Sequence, residues 1–146
     1  MTGGMTDSMT GKKKWGRFKR CWVWPGLIML TVFVVSGRSE VAVPRGLNVY
    51  RVDLVAHFGV FGALATAWVR IPRFRRRPWL AVVLTSLYGG LDEWHQSMVP
   101  GRFMQFDDWV ADTLGAWVAV VLYTRWGAYR RILETRCPPG SVARKS

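Results

Sequence analysis

The sequence predicts an all-α integral membrane bundle of four transmembrane helices with both termini in the cytoplasm. Three observations predict it. Four apolar segments approach the length of a bilayer crossing, basic residues alternate between the gaps that separate them, and the acids gather in the opposite gaps. A crossing helix needs about 20 mostly apolar residues, with ~17 as a practical minimum.

The first span is CWVWPGLIMLTVFVVSG, Cys21 to Gly37, and it is the shortest. The second, Val52 to Ile71, carries Asp53 and His57 near its start. The third, Pro78 to Gln96, is apolar until Asp92, and the fourth runs from Asp108 to Trp126. In chain order the flanking segments hold six, three, five, one and six basic residues, which together account for the 21 Lys and Arg. The richest are Lys12 to Arg20, the Arg70 to Arg77 block, and the segment from Arg125 onward, so the positive-inside rule places these three, and both termini, in the cytoplasm. Glu40, Asp53, Asp92, Glu93, Asp107, Asp108 and Asp112 fall at or near the outer surface, and only Asp7 and Glu134 fall inside. Trp22, Trp24, Trp79, Trp94, Trp109 and Trp126 lie near span ends, where amphipathic rings favour the headgroup region.

This order divides the chain into a disordered basic tail over residues 1–20, a four-helix membrane domain over 21–126, and a basic cytoplasmic tail over 127–146. The polar, Gly-rich start and the stretch from Pro138 to Ser146 both have the composition of disorder. A formal charge of +12 would suggest a nucleic-acid partner in a soluble protein. Here the charge sits in blocks flanking apolar runs, so RFRRRP is read as a topology determinant and nucleic acid is excluded. A cleaved signal peptide is the alternative reading of the N-terminus, but VVSGRSEVAV offers no convincing small-x-small site. Cys21 and Cys137 have no disulfide or zinc-ligand pattern and are read as incidental.

Polar residues recur at helical spacing. Asp53 and His57 are i, i+4; Asp92 lies four residues before Gln96 and three before His95; Asp108 and Asp112 are again i, i+4. Each set shares a helix face. Pro100-Gly101 is a turn signal that makes the third and fourth spans antiparallel neighbours and holds Arg102 near the acids. Gly59, Gly62, Gly89, Gly90 and Gly115 allow close helix approach. Ionisable groups in spans are costly and functional by default, so Asp53, His57, Asp92 and Asp112 are expected to line one outward-opening polar pocket.

The chemistry is less defined. Asp53, His57, Asp92, Glu93 and Asp108 are the candidates for acid and base work. Arg102 is suited to an anionic group, and Gln96, Asp112 and His95 are candidate binding residues. His57, Asp92 and Asp108 are candidate ligands of a divalent metal. Each residue also has a structural reading: Asp108 at a helix N-terminus, Asp92 and Glu93 at a solvated helix end, His57 donating to Asp53 one turn back. There is no His-Glu-x-x-His, no Gly-x-Ser-x-Gly and no phosphate loop, and Ser86 has no base on its own helix.

DLVAHFGVFGAL, YGGLDEWHQSMVPGR and DWVADTLGA together resemble the VanZ-like family of small membrane proteins. That family's pattern is Asp-Lys-x-x-His-Phe, then Asp-Glu-x-x-Gln with Pro-Gly-Arg, then Asp-x-x-x-Asn-x-x-Gly. Asp53, His57 and Phe58 match the first element; Asp92, Glu93, Gln96, Pro100, Gly101 and Arg102 the second; Asp108 and Gly115 the third. Leu54 stands where Lys is usual and Asp112 where Asn is usual. The resemblance implies a multi-pass protein of the cell membrane in an envelope context, with a link to glycopeptide-antibiotic resistance through the family alone. Three functions remain: a protein that binds or modifies a lipid-linked or cell-wall component, a non-catalytic scaffold for a partner, and a small transporter, which four helices would form only as an oligomer. No broken-helix pair marks a midplane transport site.

Overall fold

The computed structural model describes residues 7–38 and 49–134. Six helices follow in order: α1 Asp7–Ser36, α2 Val49–Val69, α3 Pro72–Arg75, α4 Trp79–Gln96, α5 Phe106–Arg125 and α6 Gly127–Glu134. No strand occurs among the described residues, so the all-α class holds. The apolar part of α1, with α2, α4 and α5, coincides with the four apolar segments read from the sequence. Over Arg51–Val69, α2 is long and apolar enough to cross a membrane, and Trp22–Ser36 is a shorter apolar stretch. The polar ends of α4 and α5, with Asp92, Glu93, Asp107, Asp108 and Asp112, dilute their apolar runs.

Three elements correct the reading of the tails and loops. Residues 7–20, expected to be disordered, continue α1 toward the N-terminus, since Lys and Arg are good helix formers. The basic loop after α2 contains α3, which begins at Pro72, where a proline costs no helix hydrogen bond. The segment after α5 is not wholly a tail, because Gly127–Glu134 forms α6. Residues 1–6, Glu40, Arg45, Cys137 and the stretch from Pro138 to Ser146 lie outside the described residues.

Helices α2 and α5 form the most extensive pair, with α4 against α5 next and α1 packed on α2 and α4. Small residues permit this. A Cβ on Gly115 would overlap the carbonyl oxygen of Phe58, so the backbones of α5 and α2 touch. Gly62 of α2 reinforces the contact, since its Cβ would lie 3.2 Å from the Gly115 carbonyl oxygen. A Cβ on Gly89 would lie 2.5 Å from Asp112 Oδ2, which sets the approach of α4 to α5. Gly59, expected to serve in the same way, faces open space. The apolar core lies along these contacts: Ala65, Val69, Ala81, Ala116, Val120 and Tyr123 in one cluster, and Val32, Phe61 and Leu64 in another.

Outside that core, burial departs from the pattern of a protein folded in water. Asp92, Glu93, Gln96, Asp108 and Asp112 are buried, whereas Leu27, Leu30, Phe33, Leu87, Leu91 and Trp117 are exposed. Trp22, Trp24, Trp79, Trp94 and Trp126 are also exposed, as their place near span ends predicts. Trp109 differs: its indole N–H donates to the Ser86 carbonyl at 3.0 Å, so this ring ties α5 to α4.

At the end of the bundle away from the acids, α6 is tied down. Arg75 Nη2 lies 2.6 Å from Glu134 Oε1, Tyr123 donates to the same oxygen at 2.8 Å, and Arg70 donates to the Leu133 carbonyl at 2.8 Å. At the opposite end α4 returns to α5 through Pro100 and Gly101. The Arg102 N–H donates to the Val99 carbonyl at 3.1 Å, and Gly101 has φ 83°, which a side chain would resist.

Candidate functional site

Four helices meet at the end that carries the α4–α5 turn. α2 contributes Asp53 and His57, α4 contributes Asp92, Glu93 and Gln96, α5 contributes Asp108 and Asp112, and α1 contributes Ser36. The helical spacing read from the sequence therefore identifies the converging faces. The pairings across them depend on how the helices are rotated and packed.

His57 is the junction. Its Nδ1 lies 2.9 Å from Asp112 Oδ1, while Nε2 is 3.9 Å from Asp53 Oδ1. The hydrogen-bonding partner of His57 is thus Asp112 on α5, and not Asp53 one turn back. The imidazole also stacks on Phe61, with centroids 5.8 Å apart, which fixes the ring plane. Asp53, His57 and Asp108 offer ligand atoms within 4.8 Å of one another, and so do His57, Glu93 and Asp112.

Asp92 belongs to a different set. Ser36 donates to Asp92 Oδ1 at 2.5 Å, and Gln96 donates to Oδ2 at 3.1 Å. The first bond fastens α1 to α4, the second lies within α4, and together they satisfy the carboxylate, which is absent from both ligand groupings. Of the three metal candidates, His57 and Asp108 come together and Asp92 does not. Asp53, Glu93 and Asp112 complete the groupings instead.

Glu93 is fully buried, and its Oε2 accepts from the backbone N–H of Gln105 at 2.8 Å. Gln105 is the residue before α5, so a carboxylate of α4 supplies the cap that α5 lacks locally. Arg102 Nη2 lies 3.5 Å from Asp53 Oδ2, and Nη1 donates to the Ser36 carbonyl at 3.4 Å. Residues from α1, α2, α4 and the turn then enclose a cavity of about 180 Å³. Its lining is mixed: Asp53, His57, Asp92 and Arg102 are polar, and Val32, Val35, Val60 and Phe61 are apolar. Asp112, expected in the lining, lies behind His57 and is completely buried.

His95 is not part of this arrangement. It stacks on Phe33 with centroids 4.3 Å apart and faces a separate hollow beside Tyr88, Leu91, Trp94 and Met98. Ser86 is paired with Thr113 at 2.8 Å, and no base is bonded to it among the described residues. Ser36 is the contributor that the sequence did not single out. An isolated serine at the end of an apolar run carries no spacing signal.

The model of the VanZ/LLP1 family matches residues 8–127. The chain belongs to the VanZ/LLP1 family. The match extends beyond both ends of the region that carries the three motif elements, from Asp53 to Gly115. VanZ family proteins are membrane proteins, and α2 is an apolar helix of crossing length here. No curated protein and no solved structure matches the chain significantly. In this VanZ-like protein the three motif elements have distinct physical tasks. Asp53 and His57 form the α2 side of the site. Asp92 and Glu93 tie α4 to α1 and to the start of α5, Gln96 braces Asp92 from within α4, and Pro100-Gly101-Arg102 forms the turn and its cation. Asp108 and Gly115 lie on α5, where Gly115 lets α2 approach. Asp112, at the position where the family pattern has Asn, holds His57.

Proposed function

We propose that this protein is a multi-pass component of the cell membrane that binds an amphiphile with an anionic head, a lipid-linked or cell-wall component, in its extracytoplasmic cavity. The observation that carries the reading is the mixed polar and apolar lining of that cavity. Val32, Val35, Val60 and Phe61 suit an acyl or prenyl chain, and Arg102 beside Asp53 suits an anionic head. The burial pattern supports immersion in lipid, because hydrocarbon accepts the exposed Leu, Val and Phe side chains while polar groups must find partners inside. The four-span topology with cytoplasmic termini is supported by the charge alternation, and the Arg75–Glu134 pair lies at the end assigned to the cytoplasm.

The expected result for Arg102→Ala, His57→Ala and Asp92→Ala is loss of an envelope or antibiotic-tolerance phenotype with membrane protein levels unchanged. Full function in all three variants sinks the cavity as the working site. For topology, reporter fusions at Ser146 and near Arg75 should register cytoplasm, and one near Val99 should register the outside. The opposite pattern at Val99 overturns the four-span arrangement.

A scaffold reading has one observation in its favour: both oxygens of Asp92 are hydrogen-bonded, one to Ser36 across α1 and α4 and one to Gln96 within α4. On that reading Asp92→Ala lowers folded yield in detergent and Arg102→Ala leaves function intact.

A further inference from the structure

Asp108 is a buried carboxyl group without a hydrogen-bond partner among the described residues: it is 1% exposed, and neither of its oxygens is bonded. Buried charges are normally paired or bound to metal, because an unpaired one loses its hydration without compensation. Arg102 is engaged with Asp53 and the Ser36 carbonyl, and the imidazole beside Asp108, that of His57, is hydrogen-bonded to Asp112. Two further unpartnered oxygens lie in the same cluster, Glu93 Oε1 and Asp112 Oδ2, both on fully buried residues.

The imidazole beside these acids is oriented for ligation. Its Nδ1 edge is held at 2.9 Å by Asp112, which leaves the Nε2 edge toward Asp53. A carboxylate behind one ring nitrogen, with the other nitrogen presented to a site, is the arrangement that fixes a metal-binding histidine. We infer that Asp53, His57 and Asp108 bind a divalent cation, with Asp112 as the positioning residue for His57. The grouping of His57 with Glu93 and Asp112 is the weaker ligand set, because Asp112 already occupies the ring nitrogen on that side.

Two carboxylates, one imidazole and no thiolate favour a hard to borderline ion, for which Mn²⁺ is a suitable probe. The inference stands apart from the amphiphile reading, since the cation needs no lipid, but the two meet at Asp53, which lies between the proposed cation and Arg102.

The test uses the full-length protein in detergent, stripped with chelator and titrated with Mn²⁺. Expected is saturable binding of one ion per chain. Asp108→Asn and His57→Gln should each weaken it at least about tenfold. The exposed acid variant Asp107→Asn should bind like the parent. Arg102→Ala should bind at least as tightly as the parent even where it abolishes the envelope phenotype, which separates failure of this inference from failure of the amphiphile reading. Should a ligand variant not fold, pulsed electron paramagnetic resonance on the unaltered chain decides. Modulation from one imidazole nitrogen that persists in His95→Gln supports the site, since the chain has 2 histidines. No saturable binding at millimolar Mn²⁺, equal affinity in Asp108→Asn, or no nitrogen modulation overturns it.

Discussion

Gly115→Leu should abolish recoverable folded protein, and Gly115→Ala should lower thermal stability in detergent by about 1–3 kcal/mol, the usual cost of overpacking a closed contact. The obstacle to a Cβ at Gly115 is backbone, the Phe58 carbonyl, and a helical carbonyl cannot rotate aside as a flexible side chain can. Relief requires α2 and α5 to separate. That separation would withdraw Asp112 from His57 and dismantle the site with the packing. Gly59→Ala is the matched control, because a Cβ there meets nothing within 4 Å. The measurement is monodisperse yield and melting temperature for the three variants. An unchanged melting temperature for Gly115→Ala would show that the two helices do not pack as described.

Asp112→Ala should produce the second large effect. It leaves His57 Nδ1 without the acceptor at 2.9 Å, in a place that water does not reach from the Asp112 side. Loss of one such bond costs about 1–2 kcal/mol of stability, a modest figure. The functional cost should be larger, because removal of a partner that orients a histidine typically weakens metal binding 10–100-fold, on the order seen for such outer partners. Asp112→Asn keeps an acceptor oxygen and should restore most of the affinity. Mn²⁺ titration and melting temperature, measured on both variants, separate the two roles. Equal loss in Asn and Ala would mean that the negative charge of Asp112, rather than its hydrogen bond, is what the site uses.

The positions of the helices were largely legible because apolar runs, charge blocks and Pro100-Gly101 are local signals. The faces were legible too, since i, i+4 spacing selects a side of a helix. Partnership was not. Asp53 and His57 are one turn apart, yet His57 bonds Asp112, which is 55 residues away, because α5 is drawn against α2 through glycine. His95 was grouped with Asp92 by its i+3 spacing, but three residues fall short of a full helical turn. The offset of about 60° turns its ring onto Phe33 of α1, beside the site and not into it. Glu93 looked like one more acid at a helix end, and its bond to the Gln105 N–H could be seen only once the α4–α5 turn was folded. Helix α6 escaped notice because a short, strongly basic segment has the composition of a tail, and its order comes from tertiary bonds to Arg70, Arg75 and Tyr123.

The mean hydropathy of the chain is only +0.08, close to neutral. That near-zero average conceals a spatial sorting, with a group of carboxylates and an amide buried beside the apolar core while many large hydrocarbon side chains face outward. Redesign for aqueous solubility would therefore run opposite to ordinary practice. Leu30, Leu87, Leu91 and Trp117 would be exchanged for polar residues, and the acidic interior would stay as it is. A version that dissolved without detergent and still took up Mn²⁺ would separate what this fold needs from its solvent and what it needs from itself.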